Sequence, residues 1–257
     1  MSEVKLKSAK ELELMRESGR LLASVFAYLD GQVKTGMSTM DINDLVERYI
    51  VDELDARPAS KGQYGFPYSL NTSLNQVVCH GVPADDQTLQ EGDIINVDVT
   101  PKLRGYHGDS SRMFSIGPIT PEDQSLIDVT KECLRLGIEA VTPGDSIAVI
   151  GCAIEPYARE HGFSVVRAYT GHGIGKKFHQ APSIPHMAIR AAEGTTLPTL
   201  EPGMAFTIEP MLNAGGMEVL LEEDGWTVST ADDSRSAQWE HTLLVTNEGI
   251  EVLTDGS

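Results

Sequence analysis

Cysteine is scarce in this chain. Cys79, Cys133 and Cys152 are the only three among 257 residues, and this odd, scattered set without a CxxC pair indicates neither a disulfide framework nor a thiolate zinc site. A reducing compartment fits. Long apolar runs are also missing: no stretch approaches the ~18 consecutive apolar residues of a membrane span. The opening MSEVKLKSAKELELMRESGR lacks the apolar run of a signal peptide, so a cytoplasmic location without membrane contact is expected. Basic residues are few, 20 against 38 acidic ones. The resulting formal charge of −18 would repel a phosphate backbone and argues against nucleic acid as the main ligand. HExxH and EF-hand loops are absent as well.

What is there is an ordinary globular composition, 40% hydrophobic and 23% charged, in a chain long enough to bury a substantial core. Ser8 with Glu11 makes a capping box, and apolar residues then recur at helical spacing from Leu12 until Gly31. A second helix is predicted from Ser38 to about Leu54. Residues 58–75 read as irregular surface structure, and a short strand, Gln76 to Cys79, leads into His80-Gly81. Thr120-Pro121 starts a third helix that stops at Pro143-Gly144, and a fourth runs from Ser146 to about Glu160. A strand from Phe163 to Tyr169 is expected next, then the Gly-rich TGHGIGKKFH. Residues 181–203 are irregular, and 204–253 read as four short strands.

Residues 94–114, IINVDVTPKLRGYHGDSSRMF, read as a β-hairpin. Ile95, Val97 and Val99 alternate with Ile94, Asn96 and Asp98, so the first set faces the core. A turn centred between Leu103 and Arg104 sets Asp98 directly opposite Asp109, with Cβ atoms roughly 5 Å apart. Two facing carboxylates need a proton or a cation between them. A proton-sharing pair, a calcium site and an arginine clasp all satisfy the hairpin alone.

The two halves of the chain match in kind. Thr35-Gly36, helix, strand, His80-Gly81, Gly92 and Asp98 reappear as Thr142-Pro143-Gly144, helix, strand, His172-Gly173, Gly203 and Glu209. Asp109 then corresponds to Glu240. Insertions separate the copies, and one domain of two related halves, about 1–118 and 119–257, is expected to close on a shared centre. Each of the four acids lies in or beside a strongly apolar strand: INVDV, YHGDSSRMF, AFTIEPM and SAQWEHTLLV. One inward acid is commonly paired with an arginine, but nearby bases such as Arg104 and Arg112 are too few for four. Divalent cations answer better. His172 and His179 sit among Gly171, Gly173 and Gly175, which disfavour a helix and suggest backbone passing close to a ligand or another segment. GHGIGKK lacks the glycine spacing of a phosphate loop. Carboxylates with one imidazole suit Mn, Fe, Co or Zn, and two such ions make hydrolysis the natural reaction class.

INVDV with GYHGDSSRMF, YTGHGIGKKFHQ, PGMAFTIEPM and SAQWEHTLLV strongly resemble the type I methionine aminopeptidases, in the family's order and over nearly the whole chain. The resemblance implies the pita-bread fold, an α/β (α+β) architecture of two pseudo-symmetric halves with a curved antiparallel sheet backed by helices. It implies removal of N-terminal methionine from nascent proteins and peptides, with a small second residue preferred. Asp98, Asp109, His172, Glu209 and Glu240 are the implied ligands of two divalent ions (Co, Mn, Fe or Zn), Asp109 and Glu240 bridging. A bridging hydroxide is the implied nucleophile, formed with help from Glu209. His179 would stabilise the oxyanion, and His80 would contact the scissile nitrogen or help proton transfer. The methionine pocket maps onto Phe66, Asn71, Phe178 and Trp226, with Ser60 and Gln63 at its edge.

The sequence departs from the family pattern in places. Asn71 and Ser60 stand where many relatives have cysteine, and Gln63 where tyrosine is common. Residues 185–203 look longer than the usual loop, either rimming the cleft, contacting a partner, or forming a tolerated surface insertion. The implied partners are nascent polypeptide N-termini, and the expected state is a monomer. A transient ribosome contact through Lys176-Lys177 stands against the default of two solvated lysines. Two rivals remain at this point: a proline-directed peptidase of the same fold, and a metal-free peptide-binding relative.

Overall fold

The computed structural model describes residues 4–193 and 195–256. Three of the four α-helices begin where the sequence supplies a side-chain cap. In α1 (Ala9–Leu29) the Ser8 hydroxyl accepts from the Glu11 amide, and the Glu11 carboxylate accepts from the Ser8 amide. The same reciprocal pair, Ser38 and Asp41, opens α2 (Thr39–Arg48), which widens into a π-helical turn over Tyr49–Glu53. Thr120 caps α3 (Pro121–Glu139), and α4 spans Ala148–Glu160. Among the described residues no helix is long and apolar enough to cross a membrane.

Each half stacks a pair of helices on an antiparallel sheet. In the first, strand Ile94–Val99 lies between Leu70–Leu74 and Ser110–Ser115. Its Ile95, Val97 and Val99 pack with Leu22, Phe26, Ile42 and Val46 of α1 and α2, as the alternation predicts. In the second, a five-stranded sheet runs in the order Gln180–Ile184, Gly171–Gly173, Ala205–Ile208, His241–Val245, Ile250–Val252. Phe206, Ile208 and Leu243 from it pack against Leu126, Cys133, Ile150 and Ile154 of α3 and α4. The halves are stitched where the acids sit. The Glu240 amide donates to the Ser111 carbonyl at 3.2 Å, and the Asp109 amide to Thr242 Oγ1 at 2.9 Å. Asn96 Nδ2 donates to the Gln238 carbonyl at 2.8 Å.

The structure corrects the hairpin register. Arg104 and Gly105 have φ of 48° and 89°, a type I′ turn, and Leu103 pairs with Tyr106. Asp98 therefore faces Ser111, not Asp109. The pairing is shifted by two residues, an even number, so both aspartates stay on one face. Asp109 accepts a 2.7 Å hydrogen bond from Thr100 Oγ1. The supposedly irregular 58–75 contains strand Leu70–Leu74, and the strand expected over 163–169 is only Ser164–Val165.

Residues 204–253 form seven short strands rather than four. Breaks fall at Gly215-Gly216, Asp224-Gly225 and Asp232-Asp233 as expected, and three others at Glu209-Pro210, Trp239-Glu240 and residues 246–249. Pro210 cannot donate to a ladder. At Glu209-Pro210 the chain leaves the five-stranded sheet for a smaller one containing Met211–Asn213 and Ser236–Gln238, and at Trp239-Glu240 it returns. The two glutamates thus sit where strands change sheets.

Candidate metal centre

All residues predicted for the site line one cavity of about 360 Å³. Asp98 projects from strand Ile94–Val99, while Asp109, Glu209 and Glu240 are 3%, 9% and 2% exposed. His172 comes from strand Gly171–Gly173, with Nε2 3.5 Å from Asp109 Oδ2 and 3.6 Å from Glu209 Oε1. Its Nδ1 lies 3.2 Å from the Gly173 carbonyl. With the proton on Nδ1 donated there, Nε2 keeps its lone pair toward the acids, the usual orientation of a ligating imidazole. The strand lies tight against its neighbours. A Cβ on Gly171 would meet the Thr207 carbonyl oxygen at 2.3 Å, and one on Gly173 the Ala181 oxygen at 2.1 Å. The predicted close approach of backbone is therefore to other chain segments.

Among the described residues, His172 is the sole basic group in ion-pair range of the four acids. This removes the arginine clasp. Thr207 Oγ1 donates to Glu209 Oε1 at 2.7 Å and Gln238 Nε2 to its Oε2 at 3.4 Å, too little to offset four buried carboxylates. Burial, then the charges of Asp109 and Glu209, raise the Asp98 carboxyl well above its ordinary range. Glu240 is raised by burial and by the three other acids. Glu209 is pushed up to about 7 by burial, against the lowering effect of His172 and Thr207. His172 is pulled down by burial but raised overall by Asp109 and Glu209. The donor set fits divalent cations: Asp109, His172 and Glu240 can each offer one ligand atom with all three atoms within 4.8 Å of one another.

A stability prediction follows for the metal-free protein. Carboxyls with raised folded pKa retain protons that the unfolded chain releases, so stability falls as pH rises from about 4 through their folded values. The raised His172 acts in the same direction. Glu209 alone accounts for about 3 kcal/mol across pH 4.5 to 7. With chelator present, the unfolding midpoint should be lower at pH 8 than at pH 5, and Glu209→Gln should flatten the dependence. A midpoint that rises over this range would contradict the repulsive cluster.

His80 adopts φ of 56°, a left-handed conformation forced where the next residue, Gly81, lies against the Thr72 carbonyl. Its ring meets Tyr169 edge-on at 5.4 Å, and burial lowers its pKa. His179 stacks on Phe178 at 4.4 Å, with Tyr64 6.0 Å away on a second ring contact. Burial, then His172, lower its pKa to about 4, so it is neutral at pH 7. Phe66 and Trp226 meet edge-to-face at 5.2 Å, and Ser60, Gln63 and Asn71 complete that side of the cavity.

Sequence reasoning missed Tyr64, Tyr169 and Met211, which also line the cavity. Met211 was findable, since it follows Glu209 by two residues on an extended chain. Tyr64 stands in a Gly-rich loop at φ of 50° and is 75% exposed, a signal readable only as an aromatic with nothing to pack on. His186 was missed too: its buried Nε2 accepts the Glu209 amide at 3.0 Å. Residues 185–203, of which Gly194 lies outside the described residues, do not rim the cavity. They run beside the start of α4, with Ile147 N donating to the Pro198 carbonyl and Leu200 N to the Asp145 carbonyl.

The Metallopeptidase family M24 model matches residues 13–247. The chain is 50% identical over 253 residues to methionine aminopeptidase A of Synechocystis sp., covering 98% of each. It is 46% identical to methionine aminopeptidase of Salmonella typhimurium, covering 98% of this chain and 94% of that one. The crystal structure of methionine aminopeptidase from Rickettsia prowazekii superposes with a TM-score of 0.93 at 45% identity, over 98% of this chain and 100% of that one. An Xaa-Pro dipeptidase from Bacillus anthracis shares the fold alone, with a TM-score of 0.76 at 20% identity, and this chain covers 62% of it.

Proposed function

The chain belongs to metallopeptidase family M24, within its methionine aminopeptidases, and from that premise we propose how its own residues do the work. It removes methionine from the N-termini of nascent proteins and peptides, with a small second residue preferred. The observation that carries this reading is the buried cluster of Asp98, Asp109, Glu209 and Glu240 with His172, free of lysine and arginine, at one end of an aromatic-walled cavity.

Four carboxylates and one imidazole can hold two divalent cations. His172 and Glu209 would serve one, Asp98 the other, with Asp109 and Glu240 shared; the charge coupling of Glu240 to all three other acids supports its central place. Bound there, divalent cations supply Lewis acidity toward the scissile carbonyl and make water acidic enough to give a nucleophile at neutral pH. Their identity in the cell is one of Co, Mn, Fe or Zn. Glu209, whose Oε1 lies 3.6 Å from His172 Nε2 at the cavity wall, would accept the proton lost by the attacking water. His179, neutral and braced against Phe178, donates a hydrogen bond to the carbonyl oxygen as charge develops. His80, held by its strained backbone, faces the scissile nitrogen and assists proton delivery to the leaving amine.

Phe66, Phe178, Trp226 and Met211 give an apolar slot for an unbranched thioether. Asn71, Ser60 and Gln63 make its edge more polar than a cysteine-and-tyrosine edge. The whole chain acts as one catalytic unit, since each half supplies part of the acid cluster. We place it in the cytoplasm, working as a monomer, with Lys176 and Lys177 as the point of any brief ribosome contact.

The proposal is tested with metal-free protein reconstituted with Mn, Fe, Co or Zn on a peptide panel. Release of methionine from Met-Gly peptides is expected with at least one metal, and none without. Cleavage of X-Pro peptides in its place would overturn the choice of substrate, and full activity without metal would overturn the metal centre.

A further inference from the structure

Basic side chains are sparse in this chain, yet three lysines converge beside the catalytic cavity. Lys102, Lys176 and Lys177 line a groove of about 260 Å³ whose lining includes no acidic residue. The groove shares Gln63, Tyr64, Phe178 and His179 with the cavity, so the two spaces are continuous. Exposed Tyr64 marks the junction as the cavity's mouth. Contacts between the two halves build this convergence. Lys102 pairs across its hairpin with His107, and directly opposed residues share one face. The His107 amide donates to the Gly175 carbonyl at 3.1 Å, and its ring Nδ1 lies 2.7 Å from the same oxygen. Gly175 opens a tight loop, its amide donating to the Lys177 carbonyl at 3.1 Å, which sets Lys176 and Lys177 beside the hairpin. Both are exposed, and Lys102 is half-buried. Among the described residues the lysines in ion pairs are Lys5 and Lys61, so the groove's three have no acidic partner. Lys176 lies over the Tyr106 ring, 5.6 Å from its centre, and the Tyr106 hydroxyl donates to Glu11, an acid already paired with Lys5.

Resting on the aminopeptidase reading above, we propose that this groove is a subsite for an acidic side chain, aspartate or glutamate, at position three or four of the polypeptide substrate. Distance sets the position. Lys177 is two residues from His179, the proposed donor to the scissile carbonyl, so their Cα atoms are at most about 7 Å apart. A substrate extended from that carbonyl covers the same span in about two residues, and the flexible lysine stem adds reach for one more. Charge sets the chemistry. Ammonium groups without acids beside them attract a carboxylate, although each exposed pair is modest and screened by salt. The direction is informative, because a formal charge of −18 by itself favours basic peptides over acidic ones. The groove reverses that order locally. A ribosomal phosphate is the other anion that Lys176 and Lys177 would meet. Continuity with the cavity, and the half-buried place of Lys102 in the groove wall, favour the substrate.

The test is a Lys102→Gln/Lys176→Gln/Lys177→Gln triple variant, which removes charge and keeps long polar stems. Metal-loaded parent and variant are compared on Met-Gly-Xaa-Ala and Met-Gly-Ala-Xaa peptides in which Xaa is aspartate, asparagine or lysine. Amidated C-termini leave the aspartate side chain as the peptide's sole carboxylate. The parent is expected to show kcat/KM about 3- to 10-fold higher for aspartate than for asparagine in at least one series, carried by KM, with lysine lowest. That preference should shrink below about twofold in roughly 0.5 M salt. The triple variant is expected to treat aspartate and asparagine within about twofold, and to match the parent on the asparagine peptides within the same margin. Lys177→Glu alone should place lysine above aspartate. Equal losses on all peptides would overturn the subsite, because they report damage to the cavity. Absence of an aspartate preference in the parent would overturn it as well, and if the triple variant also ceases to sediment with ribosomes, the lysines belong to that contact. Peptide affinity is measured in parallel by fluorescence anisotropy of C-terminally labelled peptides. An aspartate preference in binding with no methionine release from any peptide would leave the subsite standing and sink the aminopeptidase reading, whereas release without the preference sinks the subsite alone.

Discussion

Replacing Asp109 by alanine is expected to abolish methionine release, by at least ~10³-fold, while making the metal-free protein more resistant to unfolding above neutral pH. The first effect follows from its position. Asp109 Oδ2 is 3.5 Å from His172 Nε2, and its charge raises both Asp98 and Glu240. Even partners that merely orient a metal ligand cost 10- to 100-fold when lost, and a shared ligand takes part of both cation sites with it. The second effect has the opposite sign because the same carboxylate is the repulsive neighbour of two buried acids. Loss of the hydrogen bond from Thr100 offsets about 1 kcal/mol of that gain. Asp109→Asn retains an acceptor for Thr100 and separates the two contributions. Peptidase assays with saturating metal, metal content by mass spectrometry, and thermal unfolding at pH 8 with chelator check all three statements. Undiminished activity of either variant would end the two-cation proposal.

His179→Ala should lower kcat by ~10²- to 10³-fold, the range for losing one oxyanion donor, with little change in KM and none in metal content. The distinction rests on geometry and charge. The His179 ring centre is 4.3 Å from that of His172, close to the acids, yet it stacks flat on Phe178 and belongs to no ion pair with them. Its pKa near 4 keeps it a neutral donor through the working pH range. A variant that lost metal along with activity would make His179 a ligand, and one that kept kcat would remove it from the chemistry. Asparagine at this position, which retains a donor, should recover part of the lost rate.

The glutamates illustrate why some of this was legible in the chain and some not. Their apolar flanks, AFTIEPM and SAQWEHTLLV, marked them as inward, because a carboxylate rarely enters such a strand without a partner. Two of the three breaks missing from the strand count fall at the same residues. Glu209 and Glu240 sit where the chain moves from one sheet to another, and a sheet switch depends on neighbours far away in sequence, which leave no local period to read. The hairpin failed differently. Arg104-Gly105 carried the turn signal, and placing the turn one residue early shifted the pairing by two. An even shift preserves the face, so Asp98 and Asp109 still converge.

By itself the sequence determined the helices and the caps of α1, α2 and α3, the core-facing residues of strand Ile94–Val99, the residue types of the candidate metal-binding set and the family to which the motifs belong. These are properties of local pattern, spacing and residue type. Only the tertiary structure decided that, among the described residues, the four acids share a space with no lysine or arginine, that His172 points Nε2 at them, and that His186 holds the Glu209 amide while the described residues of 185–203 add nothing to the cavity wall. Each of these depends on which surfaces of the two halves meet, and packing energy summed over distant residues selects that.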